Sequence, residues 1–186
     1  MNSASILSIL LFGLFTGNIV ASSGLGVDMA SGKVNSIKNS LIYGCLVFGV
    51  MVLSGVIVYA VNSILVGFNL SKFMVFVTMV IASIFVQIAD YLMEKLVPVL
   101  KANLDDFIVV LIPAITVILF SLLGSNLSFG KFLINLISMG LGFILVELTI
   151  ASVRKNKLSV NSFNVFKGNL ITLTIMFVIT IVLTNL

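Results

Sequence analysis

The stretch Gly17-Asn18-Ile19-Val20-Ala21-Ser22-Ser23-Gly24-Leu25-Gly26-Val27-Asp28 interrupts the first apolar run of the chain with glycine and small polar residues. Glycine and serine weaken a continuous helix, so we expect the second half of this run to be a broken helix. The run from Ser5 to about Val27 is long enough to cross a bilayer. No basic residue precedes it, which favours an uncleaved first span over a signal peptide.

The composition of the chain predicts an all-α integral membrane protein. Of its 186 residues, 60% are hydrophobic and only 9% are charged, which is more apolar surface than one soluble core of this size can hide. We expect residues 1–186 to form a single polytopic domain in the lipid bilayer. The net charge of +4 comes from basic residues scattered between apolar runs, so we expect no nucleic-acid partner.

Six apolar segments are predicted to be transmembrane helices. They are Ser5 to about Val27, Leu41 to about Val66, Phe73 to about Leu92, Phe107 to Gly124, Gly130 to about Val153, and Asn169 to Leu186. The fourth segment contains Pro113 and is predicted to be interrupted, like the first. Matching interruptions in spans one and four indicate two inverted three-helix repeats, at about residues 1–101 and 102–186.

The distribution of basic residues predicts the orientation. If both termini lie outside, eight of the ten Lys and Arg residues fall in cytoplasmic loops and only Lys72 and Lys131 fall outside. We therefore expect a multi-pass protein of a bacterial inner or plasma membrane with both termini extracytoplasmic.

Small residues and a single thiol occur in the second span. Gly44, Gly49 and Gly55 are expected to be helix-packing positions, and Cys45 is expected to pack among them. With one cysteine and no histidine, the chain cannot form an internal disulfide, a Cys/His zinc site or a His-ligated haem site. No phosphate loop, dinucleotide-binding motif or catalytic triad occurs, so we expect no catalytic residues and no metal site.

Carboxylates in or near the spans are the candidate functional residues, because ionisable groups in a membrane are costly. Asp90 lies near the end of span three, where Lys95 offers an interfacial ion pair. Glu147 lies two turns before Arg154, too deep for easy snorkelling, which favours a buried partner or a water-lined site. Asp28 lies at the surface if span one is continuous, and deeper if it is broken. With Asn18, these carboxylates form the candidate ion or proton path.

Four short motifs then connect the sequence to a known family. In chain order they are Asn35-Ser36-Ile37-Lys38-Asn39-Ser40-Leu41-Ile42-Tyr43-Gly44, Gln87-Ile88-Ala89-Asp90 leading to Pro98-Val99-Leu100, Met139-Gly140-Leu141-Gly142-Phe143, and Phe166-Lys167-Gly168-Asn169. Together they resemble the Rnf-Nqr family of membrane subunits, which comprises the RnfA, RnfE, NqrD and NqrE types. The last motif and the outside termini are most similar to the RnfA type.

The resemblance implies a six-helix inverted repeat that pairs with a homologous subunit inside a redox-driven Na⁺ or H⁺ pump. It also implies span-one and span-four cysteines that hold a [2Fe–2S] cluster between the partners. Here the first of these positions falls on Asp28, and the second on Ile115 or Leu119. The family cluster is therefore not expected, and no cofactor is predicted.

Two functions remain open. The first is a subunit resembling the RnfA and NqrE types, not catalytic alone, that serves an ion-translocating oxidoreductase complex as scaffold or ion path. The alternative is an inverted-repeat transporter or channel-like protein, in which intramembrane carboxylates bind a cation or substrate. The first predicts a homologous six-helix partner within a larger complex, and the second predicts a dimer of this chain.

Overall fold

The computed structural model describes residues 8–11, 13–14, 37–96, 98 and 107–157, and every element in them is helical. The first helix, α1, spans Ile37–Gly67, and a short 3₁₀ turn, Ser71–Phe73, connects it to α2, Met74–Leu96. The third, α3, spans Phe107–Gly124, and α4 spans Phe129–Lys157. Residues 8–11 add a helical turn, followed by a π-type turn at Gly13 and Leu14.

The four helices correspond to predicted spans two to five. Three segments are long and apolar enough to cross a membrane, namely Ile37–Gly67, Ser71–Lys95 and Phe129–Ser152, and Leu111–Gly124 is a shorter apolar helix. The long helices extend past their predicted ends, because the flanking polar residues continue the helix beyond the apolar stretch. Most of the first span and all of the sixth lie outside the described residues.

The interruption expected in the fourth span is wrong as predicted, because α3 is one helix from Phe107 to Gly124 with Pro113 inside it. A proline removes one backbone N–H, but a membrane helix tolerates this when neighbouring groups satisfy the freed carbonyls. Thr116 Oγ1 donates a hydrogen bond of 2.7 Å to the Ile112 carbonyl oxygen in the same turn. In the first span, the π-type turn at Gly13 marks the one irregularity among its described residues.

The pattern Gly-x-Asn-Leu-Ser ends both α1 and α3, at residues 67–71 and 124–128. Asn69 and Asn126 adopt left-handed backbone conformations, with φ of 56° and 47°. After α1, Leu70 N donates to the Leu65 carbonyl oxygen at 2.9 Å and Asn69 N donates to that of Val66 at 3.1 Å. This is a Schellman cap with asparagine in the place that glycine usually occupies, and it reverses the chain tightly.

Helices α1 and α4 pack antiparallel along most of their length and form the centre of the bundle. Gly44 packs against Ile144, Gly140 against Phe48 and Met51, and Gly55 against Leu136. These small residues let the two backbones approach closely, as expected for helices in lipid. The start of α1 therefore lies beside the end of α4, at the side of the membrane where the basic loops cluster in the sequence.

The second span uses only part of its predicted packing set. Gly44 and Gly55 pack as expected, but a Cβ on Gly49 would meet nothing within 4 Å, and Cys45 is exposed. The expectation for Gly49 and Cys45 is therefore wrong. Both residues lie on a different face of α1, where they line an apolar groove towards α2.

Candidate functional site

Glu147 of α4 is buried in the described bundle, with only 2% of its surface exposed. Phe143 and Ile150, one turn before and after it on α4, belong to the apolar core. A carboxylate among hydrocarbon is unfavourable unless it is paired or neutralised, so its position is a strong constraint on this part of the bundle. The helix ends two turns later in a basic segment with Arg154, Lys155 and Lys157.

Tyr43 of α1 faces Glu147 across the α1–α4 contact. Its side chain is fully buried, and the Glu147 carboxylate acts on it electrostatically. The Tyr43 ring also packs against Phe143, with ring centroids 6.0 Å apart and planes tilted by 55°. Both the hydroxyl oxygen of Tyr43 and Oε1 of Glu147 are shielded from solvent. The arrangement joins an ionisable carboxyl group and a phenol inside the helix bundle.

Ser40 extends the same buried face of α1 by one turn and is 2% exposed. Close packing of the backbones beside these polar groups is possible because Gly44 lies against Ile144, with a Cβ-to-Cγ1 distance of 3.1 Å for an added methyl. The site therefore has three polar side chains at the cytoplasmic end of the antiparallel pair, as the basic loops orient it. We call Ser40, Tyr43 and Glu147 the α1–α4 polar cluster.

The other predicted site residues are placed as follows. Asp90 lies on α2, near its C-terminal end, and is half-buried, while Lys95 of the same helix is exposed. Asp28 and Asn18 lie outside the described residues. The structure thus assigns Asp90 and Glu147 to different helices and leaves the candidate path as a prediction.

The positions implied for the second cluster cysteine carry hydrocarbon side chains. Ile115 is 1% exposed and Leu119 is fully buried. The single thiol, Cys45, is exposed on α1. A [2Fe–2S] cluster takes four cysteine ligands in its usual form, so the donor set of this chain does not fit that group. Among the described residues, no group of three or more His, Cys, Asp or Glu side chains could hold a metal ion.

Two clefts lie away from the α1–α4 polar cluster. One, of about 240 Å³, opens at the other end of the bundle and has Tyr59, Asn62, Ser63 and Asn126 in its wall. The Tyr59 hydroxyl donates a 3.2 Å hydrogen bond to the Leu127 carbonyl oxygen there. The other, of about 150 Å³, is the apolar groove between α1 and α2. Neither cleft includes Glu147.

Sequence reasoning singled out Glu147 but missed Tyr43 and Ser40. A carboxylate is conspicuous in an apolar run, whereas tyrosine and serine are common in membrane helices. The usable signal was their spacing: Ser40, Tyr43, Gly44 and Val47 recur every three or four residues on one helix face. Pairing that face with α4 needed the antiparallel register, which the sequence does not state.

Known proteins match the chain over most of its length. A family model described as an Rnf-Nqr subunit, membrane protein, matches residues 6–186. The RnfA-type component of the proton-translocating ferredoxin:NAD(+) oxidoreductase complex of Clostridium ljungdahlii is 25% identical over 155 residues, which cover 82% of this chain and 80% of that protein. The family match extends across all six predicted spans, including the two outside the described residues.

Proposed function

Because the chain belongs to the Rnf-Nqr family of membrane subunits, we propose that it is an RnfA-like subunit of an ion-translocating electron-transport complex. The observation that carries the proposal is the family match over residues 6–186, together with a helical bundle suited to a membrane. In this proposal the chain serves as scaffold or ion path, and a homologous six-helix partner supplies any redox centre. It lies in a bacterial inner membrane with both termini outside.

The proposal includes an inverted repeat of three spans. A two-fold operator that exchanges spans one and four, and spans two and five, requires matched contacts between spans one and five and between spans four and two. Gly13 of span one packs against Ser138 of span five, and Leu119 of span four packs against Gly55 of span two. The Ser138 hydroxyl also donates a hydrogen bond to the Leu10 carbonyl oxygen. These reciprocal contacts support the repeat.

The proposal holds no iron–sulphur cluster at the family positions of this chain. Asp28 stands at the first cysteine position, and a hard oxygen ligand does not substitute for thiolate on iron–sulphur iron. The ion path would use the carboxylates Asp28, Asp90 and Glu147, with Asn18.

Isolation from native membranes tests the proposal. An affinity-tagged chain, solubilised in mild detergent and purified, should co-elute with redox subunits and with a homologous six-helix protein, identified by mass spectrometry. The chain purified alone should show no stoichiometric iron–sulphur absorption. A chain that elutes only with copies of itself would contradict membership in a complex, and an iron–sulphur spectrum from the isolated chain would contradict the loss of the cluster.

The transporter alternative has one observation in its favour, the burial of Glu147 between two spans. Intramembrane carboxylates that face a bundle interior mark ion pathways in transporters as well as in pumps. It would be favoured by a stable homodimer that catalyses cation-coupled uptake in vesicles, with uptake lost in Asp28→Asn and Glu147→Gln.

A further inference from the structure

We propose that Glu147 is a proton-binding carboxyl group, that Tyr43 is the hydroxyl that positions it, and that the α1–α4 polar cluster takes H⁺ rather than Na⁺. The inference deepens the ion-path role proposed above and names the ion at one site. It starts from the placement of an ionisable group and a phenol, 2% and 0% exposed, on facing antiparallel helices. Such a carboxyl group is tolerated in the bundle when a proton neutralises it.

The backbone around the cluster favours a proton over a metal cation. Na⁺ sites in membrane transporters use the free carbonyl oxygens of unwound helices. Here α1 is continuous from Ile37 to Gly67 and α4 from Phe129 to Lys157, so their carbonyl oxygens near the cluster accept helical hydrogen bonds. Among the described residues, the cluster offers one carboxylate and two hydroxyls. A proton needs only one oxygen and one hydrogen-bond partner.

The charged groups around Glu147 leave the proton as the simplest neutralising species. On α1, Tyr43 shares its buried face, whereas Lys38 and Cys45 are exposed. On α2, Asp90 is half-buried, and Glu94 and Lys95 are exposed. On α4 itself, the basic residues Arg154, Lys155 and Lys157 begin two turns away. The described part of α3 after residue 110 carries no ionisable side chain.

Carbodiimide labelling tests the proposal on the full-length chain reconstituted in liposomes. Dicyclohexylcarbodiimide reacts with protonated carboxyl groups in apolar surroundings, and mass spectrometry of peptides locates the adduct. We expect an adduct on Glu147 that decreases as the pH rises and that is the same with and without NaCl. This mapping uses the unmodified sequence, so it does not depend on whether a variant folds.

Matched variants test the two roles. Glu147→Gln should abolish the pH-dependent labelling, whereas Glu94→Gln, at an exposed glutamate of α2, should retain it. Tyr43→Phe should shift the pH midpoint of labelling by about one unit, the size of one hydrogen bond to a carboxylate. Tyr59→Phe removes a hydroxyl from the same helix, at the other end of the bundle, and should leave the midpoint unchanged.

Three outcomes would overturn the proposal. Saturable protection of Glu147 by Na⁺ would make the cluster a metal-cation site. No adduct on Glu147 at any pH would mean that its carboxyl group does not take up a proton. An unchanged midpoint in Tyr43→Phe would remove Tyr43 from its positioning role. Each result is obtained without partner subunits, so it stands apart from the co-purification that tests membership in a complex.

Discussion

Gly55 and Gly49 lie less than two turns apart on α1 and have different surroundings. A Cβ on Gly55 would crowd the buried side chains of Leu136 and Leu119, whereas one on Gly49 would meet nothing within 4 Å. Leu136 and Leu119 are fully buried and have little room to move. The same residue type in the same helix therefore has a packing role at one position and opens a groove at the other.

We expect Gly55→Ala to destabilise the protein by about 1–3 kcal/mol, because the added methyl overpacks the junction of α1, α3 and α4. Gly49→Ala is the matched control and should stabilise by about 0.5–1 kcal/mol, because alanine favours the helix and the space is open. Thermal unfolding in one detergent measures both. Equal midpoints for the two variants would contradict the close approach at Gly55.

The residue scale also explains why only half of the candidate site could be predicted. Glu147 stands out because a charged side chain in an apolar span needs a physical reason. Tyr43 does not, since an aromatic side chain is ordinary in a membrane helix. Its importance depends on which residue faces it across α4, and that is a property of the packed pair.

At the scale of elements, α3 shows that a proline predicts a local defect without deciding its size. Pro113 is exposed, and α3 stays one helix around it. The apolar neighbours on either side, Leu111 and Ala114, are buried and hold the segment in the bundle. Tertiary packing has therefore kept a helix that local propensity alone would interrupt.

Pro113→Ala should stabilise the protein by about 1–3 kcal/mol, because alanine restores the missing backbone hydrogen bond and the exposed ring contributes little packing. Val117→Ala, at an exposed position of the same helix, should change stability by less than about 0.5 kcal/mol. Chemical denaturation in detergent, followed by circular dichroism, measures both. A destabilised Pro113→Ala would show that a proline-induced bend is needed for α3 to pack on α2.

At the scale of the whole molecule, the antiparallel α1–α4 pair fixes which segments share a side of the membrane. The start of α1 and the end of α4 lie together, and the short connections after α1 and α3 lie at the other end. The basic residues are concentrated at the first of these two ends, so the positive-inside rule and the packing agree with one orientation of the bundle.

Cysteine accessibility tests that orientation. In a Cys45→Ala background, Lys72→Cys and Lys131→Cys should react with a membrane-impermeant maleimide added outside intact cells. Lys38→Cys and Lys95→Cys should react only after the membrane is opened. All four lysines are exposed in the structure, so a difference in labelling reports sidedness rather than burial. The reverse pattern would place both termini in the cytoplasm.

The sequence alone determined the class of protein, the family and the positions of the four described helices. It could do so because a bilayer demands apolar segments of a set length and satisfies backbone groups only in regular structures. The tertiary structure decided which faces meet: Tyr43 with Glu147, Gly55 in a tight contact, Gly49 in an open groove and α3 continuous through Pro113. A helix that faces lipid is apolar on both its buried and its exposed sides, so no periodicity of hydrophobic residues marks the face that packs.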